Sequence, residues 1–409
     1  MRTLPALVLL LGIAPGPAPA ADFPRFEART IDPHVGNVCY AVATADVDGD
    51  GKPDVVAVAE DAVYWYENPS WTKHVIIKDV TARDNVCIQP SDVDGDGRVD
   101  FALGAGWQPT NTQTGGTLQI LTRTGAADGA WRVVPIGSEP TLHRVRWGDV
   151  LGTGKPQLIA APLQGRETRG PDWGAGQGVR IRAFSVPDDP FGSPWPSEVA
   201  DDSLHTTHNL QVTDVDGDGK PDVVVAAWEG VFVLRRDSSG RWSKGQVGSG
   251  NQESRPSRGA SEVKVGRLKD GSSYVATVEP WHGFQVVAYT PPKSGGGRLW
   301  DRKVLDEPVA WGHAVWCADL DGDGDDEILI GQRDPSKDPS RSPKGPGLLV
   351  YDPKPGPGGL AFDRHLIDDG GVAVEDALAA DLDGDGRPDL VAGGRATHNV
   401  RIYMNRPGR

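Results

Sequence analysis

"HNLQVTDVDGDGKPDVV", residues 208–224, sets four aspartates and two glycines into the nine residues from Asp214 to Asp222. The motif recurs. Nearly intact copies stand at 46–54 ("DVDGDGKPD"), 92–100 ("DVDGDGRVD"), 319–327 ("DLDGDGDDE") and 381–389 ("DLDGDGRPD"). Two eroded copies, "DVLGTGKPQ" at 149–157 and "GRLKDGSSY" at 266–274, complete a series of seven. Successive starts are separated by 46, 57, 65, 52, 53 and 62 residues. Self-similarity at this period is the mark of a propeller or solenoid, in which each unit is one supersecondary element.

Every unit frames its motif in the same way. A short apolar stretch such as "YAVATA" or "HAVWCA" precedes it. A β-branched run follows ("DVVAVA", "DVVVAA", "EILIGQ", "DLVAGG"), then a second run ("AVYWYEN", "GVFVLRR", "NVRIYMN"). A fourth carries an aromatic and a basic residue: "WTKHVII", "WRVVPI", "WDRKVL", "FDRHLI". Four short strands per unit is blade composition. The expected fold is therefore all-β, a single seven-bladed β-propeller of four-stranded blades over residues 21–409. "FEARTID" at 26–32 resembles a fourth strand yet precedes the first motif, while the last unit stops at its third strand, "RIYMN". The N-terminal strand is expected to complete the seventh blade, closing the ring and leaving no free edge.

Composition agrees. With 53 glycines and 34 prolines in 409 residues, turns dominate and long helices are disfavoured. Residues 1–20 read as an export signal: Arg2, the apolar "LPALVLLLGIA", and a small-residue cleavage site, Ala18 to Ala20. No later segment approaches a membrane span. The mature chain is expected to be secreted or periplasmic. A formal charge of −15 argues against nucleic acid and anionic membranes as partners. The cysteines, Cys39, Cys87 and Cys317, have no CxxC spacing, which excludes a cysteine-built zinc or iron–sulfur site. One disulfide is compatible with export, and Cys39–Cys87 is the pairing expected.

The acidic loops place carboxylates at motif positions 1, 3, 5 and 9. These are Asp46, Asp48, Asp50 and Asp54; Asp92, Asp94, Asp96 and Asp100; Asp214, Asp216, Asp218 and Asp222; Asp319, Asp321, Asp323 and Glu327; and Asp381, Asp383, Asp385 and Asp389. Such spacing wraps oxygens around one hard cation, with glycines permitting the turn. The loop is not an EF-hand, because Val225 stands where the twelfth-position glutamate would be and a strand follows. Four carboxylates in nine residues repel one another without a cation. About five structural Ca²⁺ are expected, one per intact loop.

In these units the chain resembles the FG-GAP/VCBS repeat propellers, whose integrin-type blades carry calcium loops. The resemblance covers nearly the whole mature chain. It implies the fold and the calcium and says little of activity. A looser resemblance extends to the propeller part of aldos-2-ulose dehydratase, which acts on oxidised sugars, and to propeller polysaccharide lyases.

Six residues before each motif stand Tyr40, Val86, His143, His208, Ala260, His313 and Glu375. In a propeller this position is the hand-over from the outer strand of one blade to the inner strand of the next. It lies at the channel mouth, opposite the acidic loops. His143, His208, His313 and Glu375 are therefore expected to converge, with His205 nearby. Imidazoles with one carboxylate suit a divalent transition metal in the channel or a proton-transfer centre. His74 and His365 fall on outer strands and read as surface residues.

The same face receives the loops between second and third strands, which carry the insertions "QPTNTQTGG", "QGRETRGPDWGAGQG" and "RDPSKDPSRSPKGPG". Candidate substrate-binding residues there are Trp107, Arg166, Trp228, Trp281, His282, Arg333, Arg395 and His398, with Arg169 and Glu229 beside them. Tryptophan faces stack on sugar C–H surfaces and guanidinium forks bind carboxylates. The expected partner is a carbohydrate, an acidic polysaccharide or an oxidised sugar. The leading activity is β-elimination, by a lyase or dehydratase, with His208 or His143 as base and His313 and Glu375 as ligands or acid. The alternative is a non-catalytic glycan- or protein-binding module. A glycosidase drawing two carboxylates from Glu229, Glu279 and Glu375 and a quinone-dependent dehydrogenase are further readings.

Overall fold

The structure is a computed structural model that describes residues 23–126, 129–192, 194–292, 299–307, 309–337, 340, 343–356 and 359–408. The proposed export signal lies outside them. Strand-forming sequence arrives in groups of four, and each group forms one antiparallel sheet. The first blade is β2 (Cys39–Ala45), β3 (Asp54–Ala59), β4 (Ala62–Glu67) and β5 (Thr72–Lys78), paired in that order. The inner strands of the next five blades are β6 (Cys87–Ser91), β10 (Leu142–Gly148), β14 (Asn209–Thr213), β18 (Glu262–Arg267) and β22 (Gly312–Ala318). The seventh blade pairs β26 (Val374–Ala380), β27 (Asp389–Gly394), β28 (Val400–Arg406) and β1 (Arg25–Asp32). β1 runs antiparallel to β28 from Arg25↔Arg406 to Asp32↔Val400, so the N-terminal strand closes the ring.

The second strands explain why blades stack. "DVVAVA" in β3 and "DLVAGG" in β27 are buried at every position. Each sheet is covered on both faces by its neighbours, so an uninterrupted apolar run replaces the alternation of a half-exposed strand. Apolar clusters fill the boundaries between adjacent blades; one joins Val42, Val55 and Tyr64 of the first blade to Leu378, Val391 and Ile402 of the last. Polar staples reinforce these boundaries. Asn68 Nδ2 donates to Leu382 O (2.6 Å) and Asn405 Nδ2 to Leu320 O (2.7 Å), each reaching the second residue of a neighbour's acidic loop.

In the acidic loops the first aspartate accepts backbone amides: Gly49 N (2.7 Å) and Gly51 N (2.9 Å) both donate to Asp46. Gly49 and Gly51 have φ of +83° and +88°, a left-handed conformation that costs glycine little. The ninth-position carboxylate turns inward. Asp54 accepts Val47 N and Asn68 N, and burial pushes its carboxyl up to about 6.

Cys39 and Cys87 are free buried thiols and do not form the expected disulfide. Cys39 packs its sulfur on Gly393 of the last blade, while Cys87 packs on Gly104 of its own. Burial pushes the Cys87 thiol up to about 11, an unreactive state.

Candidate functional site

The inner strands begin at the channel mouth, and local backbone irregularities aim their first side chains inward. Tyr40, His143, His313 and Glu375 each fall where the strand register shifts against the second strand. A bulge adds a residue on one strand and re-aims its side chain. Two residues earlier the hand-over turn uses a left-handed residue: Thr141 (φ +58°), Thr206 (+45°) and Trp311 (+56°) precede His143, His208 and His313. Non-glycine residues held there cost free energy, and such strain gathers at functional sites.

The expected convergence is observed. The His143 and His208 rings lie 4.6 Å apart, and those of His208 and His313 4.9 Å apart. His282 joins them, its Nε2 2.8 Å from His208 Nε2 and its ring stacked on His313 at 5.0 Å. It comes from the tight turn after β19 (Ser273–Glu279), where its φ is +50°. Sequence reasoning placed it among substrate contacts; the fold puts it in the centre of the cluster.

Neighbouring groups fix each imidazole. His208 Nδ1 is 2.7 Å from Glu262 Oε1, and Glu262 Oε2 also accepts Asn209 Nδ2. His143 Nδ1 lies 2.9 Å from His208 O and His313 Nδ1 2.6 Å from Glu375 O. A ring nitrogen facing a carbonyl must carry the proton, so His143 and His313 are Nδ1–H tautomers with an Nε2 lone pair. Glu262, when ionised, imposes the same tautomer on His208. Donation of the distal N–H to a carbonyl or carboxylate is how metal-binding imidazoles are oriented. Ligand nitrogens of His208, His282 and His313 fall within 4.8 Å of one another, and His282 Nδ1 is buried without a partner. The donor set fits a divalent transition metal.

Burial holds His143 and His208 well below the usual histidine range, with Arg144 adding to the effect at His143 and His282 at His208. His282 behaves likewise, and His313 falls to about 4. All four are neutral at physiological pH. Glu375 differs. Burial works against its charge, but His313, Arg395 and Arg333 outweigh burial and hold it ionised. Arg395 Nη1 is 2.6 Å from Glu375 Oε1 and Arg333 Nη1 3.6 Å from Oε2. Glu375 is thus an anionic ligand or charge partner here; it does not suit the role of acid.

Aromatic rings wall the mouth. Trp107 lies 5.4 Å from His143, Trp281 stacks on His282 at 4.3 Å, and Trp228 stands 6.4 Å from Trp281. Arg333 covers the Trp311 ring at 4.4 Å, and Trp311 is 5.0 Å from His282. Arg166 instead pairs with buried Glu139, which Arg180 and Arg182 also contact. His398 Nδ1 bonds Asn37 O, and His205 pairs with Glu229 at 2.6 Å, so neither enters the histidine cluster. Arg169 is exposed. Glu279 is fully buried and tied to Arg302, Tyr289 and Thr277, which removes it from any glycosidase pair at the mouth. Sequence reasoning missed Arg144, Trp311 and Glu262. Glu262 was accessible by pleat counting, two residues beyond Ala260 on the same face.

In the acidic loops, carboxylate oxygens from positions 1, 3 and 5 gather within 4.8 Å in the loops at 46, 92, 214 and 319. Three hard oxygens around one point fit Ca²⁺.

Comparison with known proteins agrees with this architecture. The model of the FG-GAP-like repeat matches residues 46–103, and that of the aldos-2-ulose dehydratase β-propeller domain matches residues 115–292. Aldos-2-ulose dehydratase of Phanerodontia chrysosporium is 32% identical over 235 residues, 53% of this chain and 25% of that protein. The chain thus spans about a quarter of the length of the curated relative it matches. Among solved structures, BBS1N in complex with ARL6DN aligns at TM-score 0.54 and 14% identity over 94% of this chain and 97% of that one. An Agrocybe aegerita protein recognising non-reducing terminal N-acetylglucosamine aligns at TM-score 0.50 and 15% identity, over 89% and 93%. At these identities the likeness is one of fold. The chain is a seven-bladed β-propeller bearing FG-GAP-like repeats.

Proposed function

We propose that this propeller is an exported carbohydrate dehydratase or lyase that works by β-elimination at the histidine cluster. The observation that carries this reading is the set of neutral imidazoles whose distal N–H groups are anchored, leaving Nε2 lone pairs at an aromatic-walled mouth. The similarity to aldos-2-ulose dehydratase supports an oxidised sugar as substrate.

His208, His282 and His313, with Glu375 beside them, would hold a divalent metal ion. Bound there, such an ion polarises a carbonyl oxygen and stabilises enolate charge. His143 stands outside the metal triad and is the base. Its anchored Nδ1–H leaves the Nε2 lone pair, which accepts Arg144 Nη1 at 3.2 Å until substrate displaces that bond, to remove the proton from the carbon next to the sugar carbonyl. A carbon–carbon double bond forms as the oxygen on the adjacent carbon departs. The same imidazolium returns its proton to that oxygen, releasing water or, in a polysaccharide, a sugar hydroxyl. Arg333 faces the developing negative charge, and the tryptophans hold the ring and exclude water.

The five intact acidic loops take about five Ca²⁺, remote from the chemistry, and stiffen the inner hairpins. Elemental analysis of the wild type beside His208→Ala tests the centre: calcium in both and a transition metal only in the wild type is expected. Incubation with aldos-2-uloses and uronate glycans, followed by the absorbance of the unsaturated product, tests the reaction. Calcium alone in both proteins, with saturable glycan binding and no product, would replace the enzyme by a binding module.

A further inference from the structure

The inner strands also line a cavity of about 130 Å³, with Arg144, Arg146, Asp376, Trp316 and Gln89 among apolar residues. Lys264 flanks it, its ammonium 5.2 Å from the Trp316 ring that lines the space. Arg144 and Lys264 are 5% and 4% exposed. Cations removed from water to this degree are normally matched by carboxylates. Here they are not. Among the described residues none of Arg144, Arg146 and Lys264 forms an ion pair, and the Lys264 ammonium makes no hydrogen bond. Arg144 spends Nη1 on His143, and Arg146 bonds Val145 O and Asn209 Oδ1.

The nearby acids are committed elsewhere. Glu262 accepts His208 and Asn209, and Asp376 accepts Val42 N and Ala377 N, both at 3.1 Å. Buried Arg144 and Lys264 and half-buried Arg146 thus stand around one small space with no carboxylate bonded to any of them. Burial pushes Lys264 down to about 7, and an anion beside it would restore its charge. We propose that this cavity binds one small monovalent anion, a halide or a formate-sized carboxylate, between Arg144, Arg146 and Lys264. A monoanion balances the Lys264 charge, and the free donors of Arg144 and the Lys264 ammonium supply its hydrogen bonds. A bulky sugar acid exceeds the space. The site adjoins the histidine cluster through Arg144, whose Nη1 contacts His143, but it does not depend on the reaction proposed there.

Crystals grown without halide and soaked in sodium bromide, measured at the bromine edge, test this in the wild-type chain. The expected result is one anomalous peak between Arg144, Arg146 and Trp316. In solution, Tm should rise saturably by about 2–4 °C in chloride or bromide relative to gluconate at matched ionic strength, because gluconate is too large to enter. Lys264→Met should abolish that difference. Should this variant fail to fold, the bromide map and the chloride–gluconate comparison on the wild type still decide. A channel that holds only water, or equal Tm in the two salts, overturns the proposal.

Discussion

Replacing Glu262 by glutamine separates the charge that orients His208 from the shape that supports it. Glu262 Oε1 accepts the His208 Nδ1 proton at 2.7 Å, which keeps the Nε2 lone pair toward His282 and His313. Glutamine keeps an acceptor on Nδ1 but places an NH₂ group against Asn209 Nδ2, whose partner oxygen already serves Leu210 N and Arg146. One buried donor loses its acceptor, a stability cost of about 1–3 kcal/mol. Loss of the carboxylate behind a metal-binding imidazole lowers metal affinity about 10- to 100-fold, or about 1.4–2.8 kcal/mol. The pH dependence is the sharper signature. Burial pushes Glu262 up to about 7, against the opposing pull of Arg144 and Asn209. When it takes a proton its O–H donates to His208 Nδ1, the imidazole proton shifts to Nε2, and that nitrogen can no longer ligate. Metal affinity in the wild type should therefore fall as pH drops through about 7, whereas His313 stays neutral down to about 4. Glu262→Gln should show weaker binding with no step near pH 7. Competition titrations with a chromogenic chelator between about pH 5.5 and 8 measure both effects. A variant that loses stability yet keeps wild-type affinity and the same pH step would refute the orienting role.

Three further outcomes follow from the same geometry. Removal of Ca²⁺ with a chelator should lower Tm by on the order of 10 °C, restored by Ca²⁺ and not by Mg²⁺, since several loops each contribute ligand-linked stability; differential scanning calorimetry reads it. Arg333→Ala, which removes the cation 3.6 Å from Glu375 and over Trp311, should lower kcat on a keto-sugar about 10²-fold, with unchanged turnover removing Arg333 from the substrate's side. Asp32→Asn should cost about 1–3 kcal/mol by urea unfolding at neutral pH. Burial raises the Asp32 carboxyl, but Lys73 at 2.7 Å, Tyr66 at 2.6 Å and the His34 amide outweigh burial and hold it below its usual 3.8. Its stabilisation is complete above that usual value and is lost as pH falls through the depressed one, so the variant should show a shallower acid-side loss of stability.

The blades were legible because a strand carries its instructions locally: acidic turn, β-branched run, aromatic–basic outer strand. Even closure by β1 followed from counting strands, since a blade short of its outer strand leaves an edge that another strand must cover. The histidine convergence was legible for a related reason, as a repeat turns distant sequence positions into equivalent places around one axis. What broke that equivalence was hidden. His282 stands at no repeat-equivalent position; it reaches the centre from a tight turn in the fifth blade, where the repeat position holds Ala260. Arg144 was hidden differently: its role depends on which way a pleat faces after the bulge at His143, and a one-residue shift sends a side chain to the opposite face. The cysteines failed for the same cause. Cys39 and Cys87 start equivalent strands in adjacent blades, but Cys39 sits at a register shift that Cys87 lacks, so their sulfurs pack on different neighbours. Bulges at the channel mouth aim His143 and His313 inward. His208 and His282 reach the same centre from a hand-over turn and a tight loop, so the ring of imidazoles is assembled from both kinds of backbone.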